Sequence, residues 1–147
     1  MTTWLTNRPV PVKDGIADEY WAAAAEGRLV LQRCDACDQH HFPPRVRCPR
    51  CWRADALAWA DASGRGEVHT FSVVHRPPTP ELNDGRPYVV ALIDLEEGVR
   101  LMSNVVGCDV DDVRIGMPVT VAFDEGPDGP LPVFVPDPAG IAREVTP

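Results

Sequence analysis

Two Cys-x-x-Cys hooks, Cys34-Asp35-Ala36-Cys37 and Cys48-Pro49-Arg50-Cys51, lie ten residues apart. Each hook offers two thiolates from a tight turn, and two hooks complete a tetrahedral four-sulfur shell around one metal ion. Such a shell leaves no position for water or substrate, so the ion is expected to hold structure and not to perform chemistry. A pair of disulfides is the competing assignment and would suit a secreted chain. Met1 to Asp14 lacks the apolar core of a secretion signal, which favours the metal and a cytoplasmic location. Thiolate-only shells take zinc or iron, and spacing alone does not separate a zinc ribbon from a rubredoxin-type iron centre. Zinc is favoured because the rest of the chain has no second redox feature. The fifth cysteine, Cys108, reads as a small buried or loop-edge residue and not as a reactive thiol.

Other side chains suggest binding before they suggest catalysis. Arg45, Arg47, Arg50 and Arg53 fall within nine residues with no acidic side chain between them. The whole chain carries a formal net charge of −8, so this is a concentrated positive patch in an acidic protein. Guanidinium groups grip phosphates and carboxylates in a bidentate way, and the patch, with Arg76, is expected to meet the phosphates of a ligand or acidic groups of a partner. A solvated basic face that balances the metal–thiolate charge is the plainer alternative.

The histidines are His40, His41, His69 and His75. None sits in a nucleophile elbow or a His-Glu-x-x-His pattern. His69 and His75 are six residues apart on one expected strand, a spacing that would turn them to the same side. Trp4, Trp21, Trp52 and Trp59 raise the idea of base stacking, as on single-stranded nucleic acid. Trp52 and Trp59 flank the junction after the second hook, where packing one module on the next is the simpler role. Net negative charge also opposes phosphate binding, so no nucleic-acid partner is expected.

The elements that must position these residues follow from pattern. Asp14-Gly15 starts a helix over Ile16 to Glu26, which Gly27 ends in a left-handed conformation. Tyr20 and Trp21 form its aromatic face, a candidate docking surface for a partner subunit. Arg28 to Gln32 leads into the first hook, and His41 to Arg47 runs extended toward the second past Pro43-Pro44. Strands are then expected at Leu57–Ala60, Glu67–His75, Pro87–Leu95, Val99–Val106, around Val119–Phe123 and at Leu131–Val135. Val119, Val121 and Phe123 alternate with Thr120, Ala122 and Asp124, the period of a half-buried strand. The segment Arg76 to Arg86, with Asn83-Asp84-Gly85, is long for a hairpin loop. Five or six strands over about ninety residues fit a small closed barrel of the OB type. At 147 residues and 44% apolar content, one modest domain plus a metal-stapled module is the expected size, and no stretch approaches a membrane span.

These motifs together resemble the DUF35 family. The carriers are His41-Phe42-Pro43-Pro44-Arg45, Cys48-Pro49-x-Cys51, Ser63-Gly64-Arg65-Gly66-Glu67-Val68 and Phe71-Ser72-Val73-Val74-His75-Arg76. Pro87-Tyr88-Val89-Val90, Gly98 through Val106, Gly116-Met117-Pro118-Val119 and Leu131-Pro132-Val133-Phe134 continue the likeness, from about Tyr20 to Pro136. The resemblance implies a mainly β chain: an N-terminal helix, a rubredoxin-like zinc ribbon, then an OB-fold barrel. The expected divisions are 1–27 for arm and helix, 28–56 for the ribbon and 57–147 for the barrel with a C-terminal tail. The resemblance further implies an accessory subunit of an acyl-CoA enzyme complex. Its partner would be a thiolase-like or lipid-transfer-protein-like enzyme: a thiolase, an acyltransferase or a retro-aldolase such as one that shortens steroid side chains. A MaoC-like hydratase is a further expected partner, as a separate polypeptide. On this basis the chain is non-catalytic by itself. A stand-alone nucleic-acid- or protein-binding module is the alternative, and an independent acyl-CoA hydrolase or transferase the third.

Overall fold

The computed structural model describes residues 4–5, 8–82 and 84–140. Most of the expected N-terminal arm is included, whereas Asn83 of the expected turn and the last seven residues of the expected tail lie outside the described residues. Among the described residues no helix is long and apolar enough to cross a membrane.

Asp14 caps the first turn: its side chain accepts a hydrogen bond from the Ala17 backbone N–H at 3.1 Å. A short 3₁₀ turn over Gly15–Ala17 runs into helix α1, Asp18–Ala25. Gly27, at φ +75°, ends it. The Arg28 N–H reaches the Ala23 carbonyl at 2.9 Å and the Gly27 N–H reaches that of Ala24 at 3.0 Å, the double closure of a Schellman cap. Tyr20, Ala23 and Ala24 of α1 turn toward the interior.

The ribbon is a three-stranded antiparallel sheet in the order β2-β1-β3, from β1 Val30–Cys34, β2 Gln39–His41 and β3 Leu57–Asp61. The strand at Leu57–Asp61, expected to open the barrel, pairs instead with β1 in register Leu31↔Ala60 and Cys34↔Leu57. The reason is closure: the turn after Cys51 returns the chain beside β1, whose free edge needs hydrogen-bond partners.

The remaining strands are β4 Arg65–Val74, β5 Tyr88–Leu95, β6 Arg100–Val105, β7 Pro118–Asp124 and β8 Leu131–Pro136. They close a barrel in the order β4-β5-β6-β8-β7, with β7 returning to β4. Each pair is antiparallel except β6 with β8, whose parallel contact is Val105↔Phe134. That order is the five-strand OB topology. Along β5 burial alternates: Val89, Ala91, Ile93 and Leu95 are buried while the residues between them are half-buried. The nearly unbroken apolar run therefore serves both faces of the barrel wall.

Leu29 and Leu31 belong to the same buried cluster as Val68, Ile93, Leu101, Val119 and Phe134 of the barrel, with Tyr20 and Phe42 packed against it. Helix, ribbon and barrel thus share one core. Trp52, expected to pack the modules together, does not: it is 71% exposed. The junction is filled by residues whose side chains already point inward from β1 and α1, whereas Trp52 sits at the outer tip of a turn.

Candidate functional site

Both hooks are formed by turns with a common backbone plan. Asp38 N–H bonds the Cys34 carbonyl at 2.8 Å, and Trp52 N–H bonds the Cys48 carbonyl at 2.9 Å. Asp38 and Trp52, the residues after each hook, are the two non-glycine residues with positive φ among the described residues, at +56° and +64°. These turns bring the four sulfurs of Cys34, Cys37, Cys48 and Cys51 within 4.8 Å of one another. Cys34 Sγ lies 3.5 Å from Cys51 Sγ, and Cys37 Sγ 3.6 Å from Cys48 Sγ.

A disulfide requires sulfurs about 2.05 Å apart, so these pairs are not bonded; all five cysteines are free. Four sulfurs at about 2.3 Å from a tetrahedral ion stand about 3.8 Å from each other. The observed spacing fits that shell with small adjustments. Proton chemistry agrees: the Cys51 backbone N–H, with help from that of Arg50, draws the Cys48 thiol down to about 6, whereas burial pushes Cys37 up to about 12. Without a cation the sulfurs must share protons, and a divalent ion lets four thiolates coexist. Cys34 and Cys48 are fully buried, so the cluster has a dry side.

The strap between the hooks is held by Gln32. Its Oε1 accepts from His41 Nε2 at 2.6 Å and from the Arg45 backbone N–H at 2.7 Å, while its Nε2 donates to the Arg45 carbonyl at 3.0 Å. Because Oε1 can only accept, His41 carries its proton on Nε2 in this network. Nδ1 is buried without a partner. A second proton there would be desolvated, and burial accordingly lowers the His41 pKa, with the positive Arg45 adding to it.

Around this strap Arg45, Arg47 and Arg50 are exposed, and none has a carboxylate within ion-pair distance among the described residues. The Arg47 guanidinium donates to the Trp52 carbonyl at 3.2 Å. Arg53 differs, since it forms a two-pronged pair with Asp55 at 3.0 and 2.9 Å. Arg76 is exposed on the barrel just past β4, and among the described residues no hydrogen bond joins it to the hooks.

On α1, Tyr20 packs edge-on to Trp21 at 5.2 Å and against Phe42 at 5.5 Å, and burial raises its phenol above the usual value. Trp21 is half-buried, with the Lys13 ammonium 5.5 Å from its ring. Cys108 is half-buried and its thiol is pushed up, first by burial and then by Asp112 and Asp109.

The shared side of His69 and His75 does not survive folding. Pairing slips between Val68 and Thr70, so His69 occupies a bulge, and His75 lies beyond the end of β4. A bulge adds one residue and reverses the parity of what precedes it. His69 instead joins an exposed group with Asp94 at 3.4 Å and Arg100 at 3.1 Å.

Sequence reasoning gave Gln32 no role and set Trp52 at the module junction, missing the part each plays around the hooks. Gln32 had a signal, a lone amide closing the apolar run Leu29-Val30-Leu31. Trp52 had one too: it follows the second hook as Asp38 follows the first.

Two family models match consecutive parts of the chain: "ChsH2, rubredoxin-like zinc ribbon domain" over residues 21–57, and "ChsH2, C-terminal OB-fold domain" over residues 59–124. It is 43% identical over 105 residues to a "DUF35 domain-containing scaffold protein" of Methanothermobacter thermautotrophicus, covering 69% of this chain and 78% of that one. It is 42% identical over 132 residues to a "probable enoyl-CoA hydratase alpha subunit" of Thermomonospora curvata, covering 88% of this chain. The chain spans only 40% of the length of that hydratase subunit. Among solved structures, one chain of an Ltp2-ChsH2(DUF35) aldolase superimposes with a TM-score of 0.77 at 41% identity, over 86% of this chain and 98% of that one.

Proposed function

Because the chain belongs to the DUF35 family, we propose that it is the accessory subunit of a two-component acyl-CoA enzyme, docking on a thiolase-fold partner and helping to hold the CoA-linked substrate. The observation that carries this reading is the match over 98% of a chain in an aldolase complex, at 41% identity. A likeness at that identity reaches beyond fold, and it covers ribbon and barrel together. Retro-aldol cleavage of a CoA thioester is accordingly the reaction assigned to the complex, with a steroid-type side chain as the substrate class that the family resemblance implies. A hydratase is a further partner, supported by the likeness to part of a hydratase alpha subunit.

Cys34, Cys37, Cys48 and Cys51 hold a zinc ion whose role is to fix the two turns. A closed thiolate shell supplies no Lewis acid and no activated water. The partner then brings the reacting groups, and this chain brings surface. Arg45, Arg47 and Arg50 are the residues assigned to CoA phosphate or to partner carboxylates, with Arg53 held back by Asp55. Arg76 and the Trp21 face of α1 are secondary contacts in the same reading.

Co-expression with a lipid-transfer-protein-like thiolase, followed by size-exclusion chromatography and a retro-aldol assay, tests the reading. A stable complex with activity absent from either chain alone is expected. A chain that stays monomeric beside such partners, or cleaves thioesters unaided, overturns it. Arg45→Gln with Arg50→Gln then separates the two uses of the arginines. Unchanged acyl-CoA affinity in the assembled complex removes the ligand role.

A further inference from the structure

The turn after each hook places one residue in the left-handed region, and the two hooks fill that position differently. Asp38 is a residue that tolerates positive φ, and its carboxylate pairs with Arg33. Trp52 is bulky and ill-suited to φ +64°. Its indole recovers little from packing, since the residue is 71% exposed and no aromatic or cation–π contact reaches it among the described residues. Among the described residues its hydrogen bonds are made by the backbone, to the Cys48 carbonyl and from the Arg47 guanidinium. Nothing in the fold requires an indole here; glycine would serve the turn better.

The surroundings indicate what the indole meets. Val46, on the strap before Cys48, is 67% exposed. Residues 39–54 contain four arginines and no acidic residue, in a chain of net charge −8. Three of those guanidiniums have no carboxylate partner among the described residues. An exposed tryptophan in an arginine-rich stretch, on a turn tied by Cys48 and Cys51 into the four-sulfur cluster, has the composition of an interface hot spot. Its rigidity also lowers the ordering cost of association.

We propose that Trp52 anchors a protein-docking knuckle, its indole entering an apolar pocket on the partner whose rim carries carboxylates for Arg45, Arg47 and Arg50. This rests on the accessory-subunit reading and names the surface through which the subunit docks. A protein is favoured over a nucleic acid because the chain as a whole repels polyanions while the knuckle alone is positive.

Trp52→Gly is the test, made in the full chain and measured against the co-expressed thiolase-fold subunit. The variant is expected to keep one metal per chain and to melt at the same temperature or higher, because glycine is at ease at this φ. Its affinity for the partner is expected to fall at least about 30-fold, the size of a hot-spot loss. Arg45→Glu with Arg50→Glu should slow association and reduce its salt dependence. A wild-type chain that forms no complex sinks the accessory reading and this inference together. A wild-type complex that Trp52→Gly leaves intact sinks only the knuckle. Tight quenching of Trp52 fluorescence by a 20-mer of thymidine would transfer the patch to nucleic acid and also overturn the proposal.

Discussion

Replacing Leu31 with alanine should destabilise the barrel although Leu31 lies in the ribbon. Leu31 is 0% exposed, on the central strand of the ribbon sheet, and it belongs to the cluster that contains Ile93, Val119 and Phe134. Truncation removes the transfer free energy of the lost side-chain carbons and leaves a cavity walled by two modules. Leu→Ala changes at sites of this kind cost roughly 3–4 kcal/mol. The low end of the usual range does not apply because β1 is pinned by β2, by β3 and by Cys34 in the sulfur cluster, so it has little freedom to collapse inward. For a chain of 147 residues such a loss lowers Tm by roughly 10–15 °C. Calorimetry should show one transition displaced as a whole, with far-ultraviolet circular dichroism and metal release reporting the same midpoint. Two separated transitions, or an unchanged barrel midpoint while the metal escapes early, would refute the shared core.

Metal analysis of the purified chain should find one ion per chain without visible absorption, and Cys48→Ser should lose it and unfold the ribbon; a red protein would assign iron. Breaking the pair between Arg8 and Asp124, whose side chains are 5% and 0% exposed, should cost about 3–5 kcal/mol, read by denaturant titration of Arg8→Met. That buried charge pair fastens the N-terminal arm to the end of β7, and a loss below about 1 kcal/mol would show that the arm is not held there. Because burial lowers the folded pKa of His41, the unfolded chain binds the extra proton more readily. The contribution of His41 is therefore complete above the unfolded value of about 6.5 and is lost as pH falls through the lower folded value. His41→Gln should flatten that part of the stability curve between pH 7 and 5, and a wild-type slope retained in the variant would remove His41 as its source.

Much of the architecture could be read from residue order because its signals are local. Gly27 after an alanine-rich segment, the paired hooks, and β-branched runs cut by glycine turns each act within a few residues of themselves. Strand limits expected at 87–95, 99–106 and 131–135 fall within two residues of the observed ones. What eluded the sequence depended on chain segments meeting. Whether Leu57–Asp61 joins the ribbon or the barrel is decided by which edge lacks partners, a property no window of sequence contains. The His69 bulge arises from register between β4 and β5, so alternation along β4 alone misassigned its face.

The candidate site divides along the same line. The spacing of Cys34, Cys37, Cys48 and Cys51 points to a closed four-sulfur shell, because each hook is a single turn whose geometry follows from chain length, and the sulfur separations in the folded chain set aside the competing disulfides. Which aromatic residues fill the junction and which one is left in water was decided by the tertiary structure. Tyr20 and Phe42 close over the barrel because α1 and the strap converge there, and Trp52 is turned outward because its turn must wrap the sulfurs. Side-chain direction at a turn follows from backbone φ, and that angle is set by the ligands the turn has to bring together.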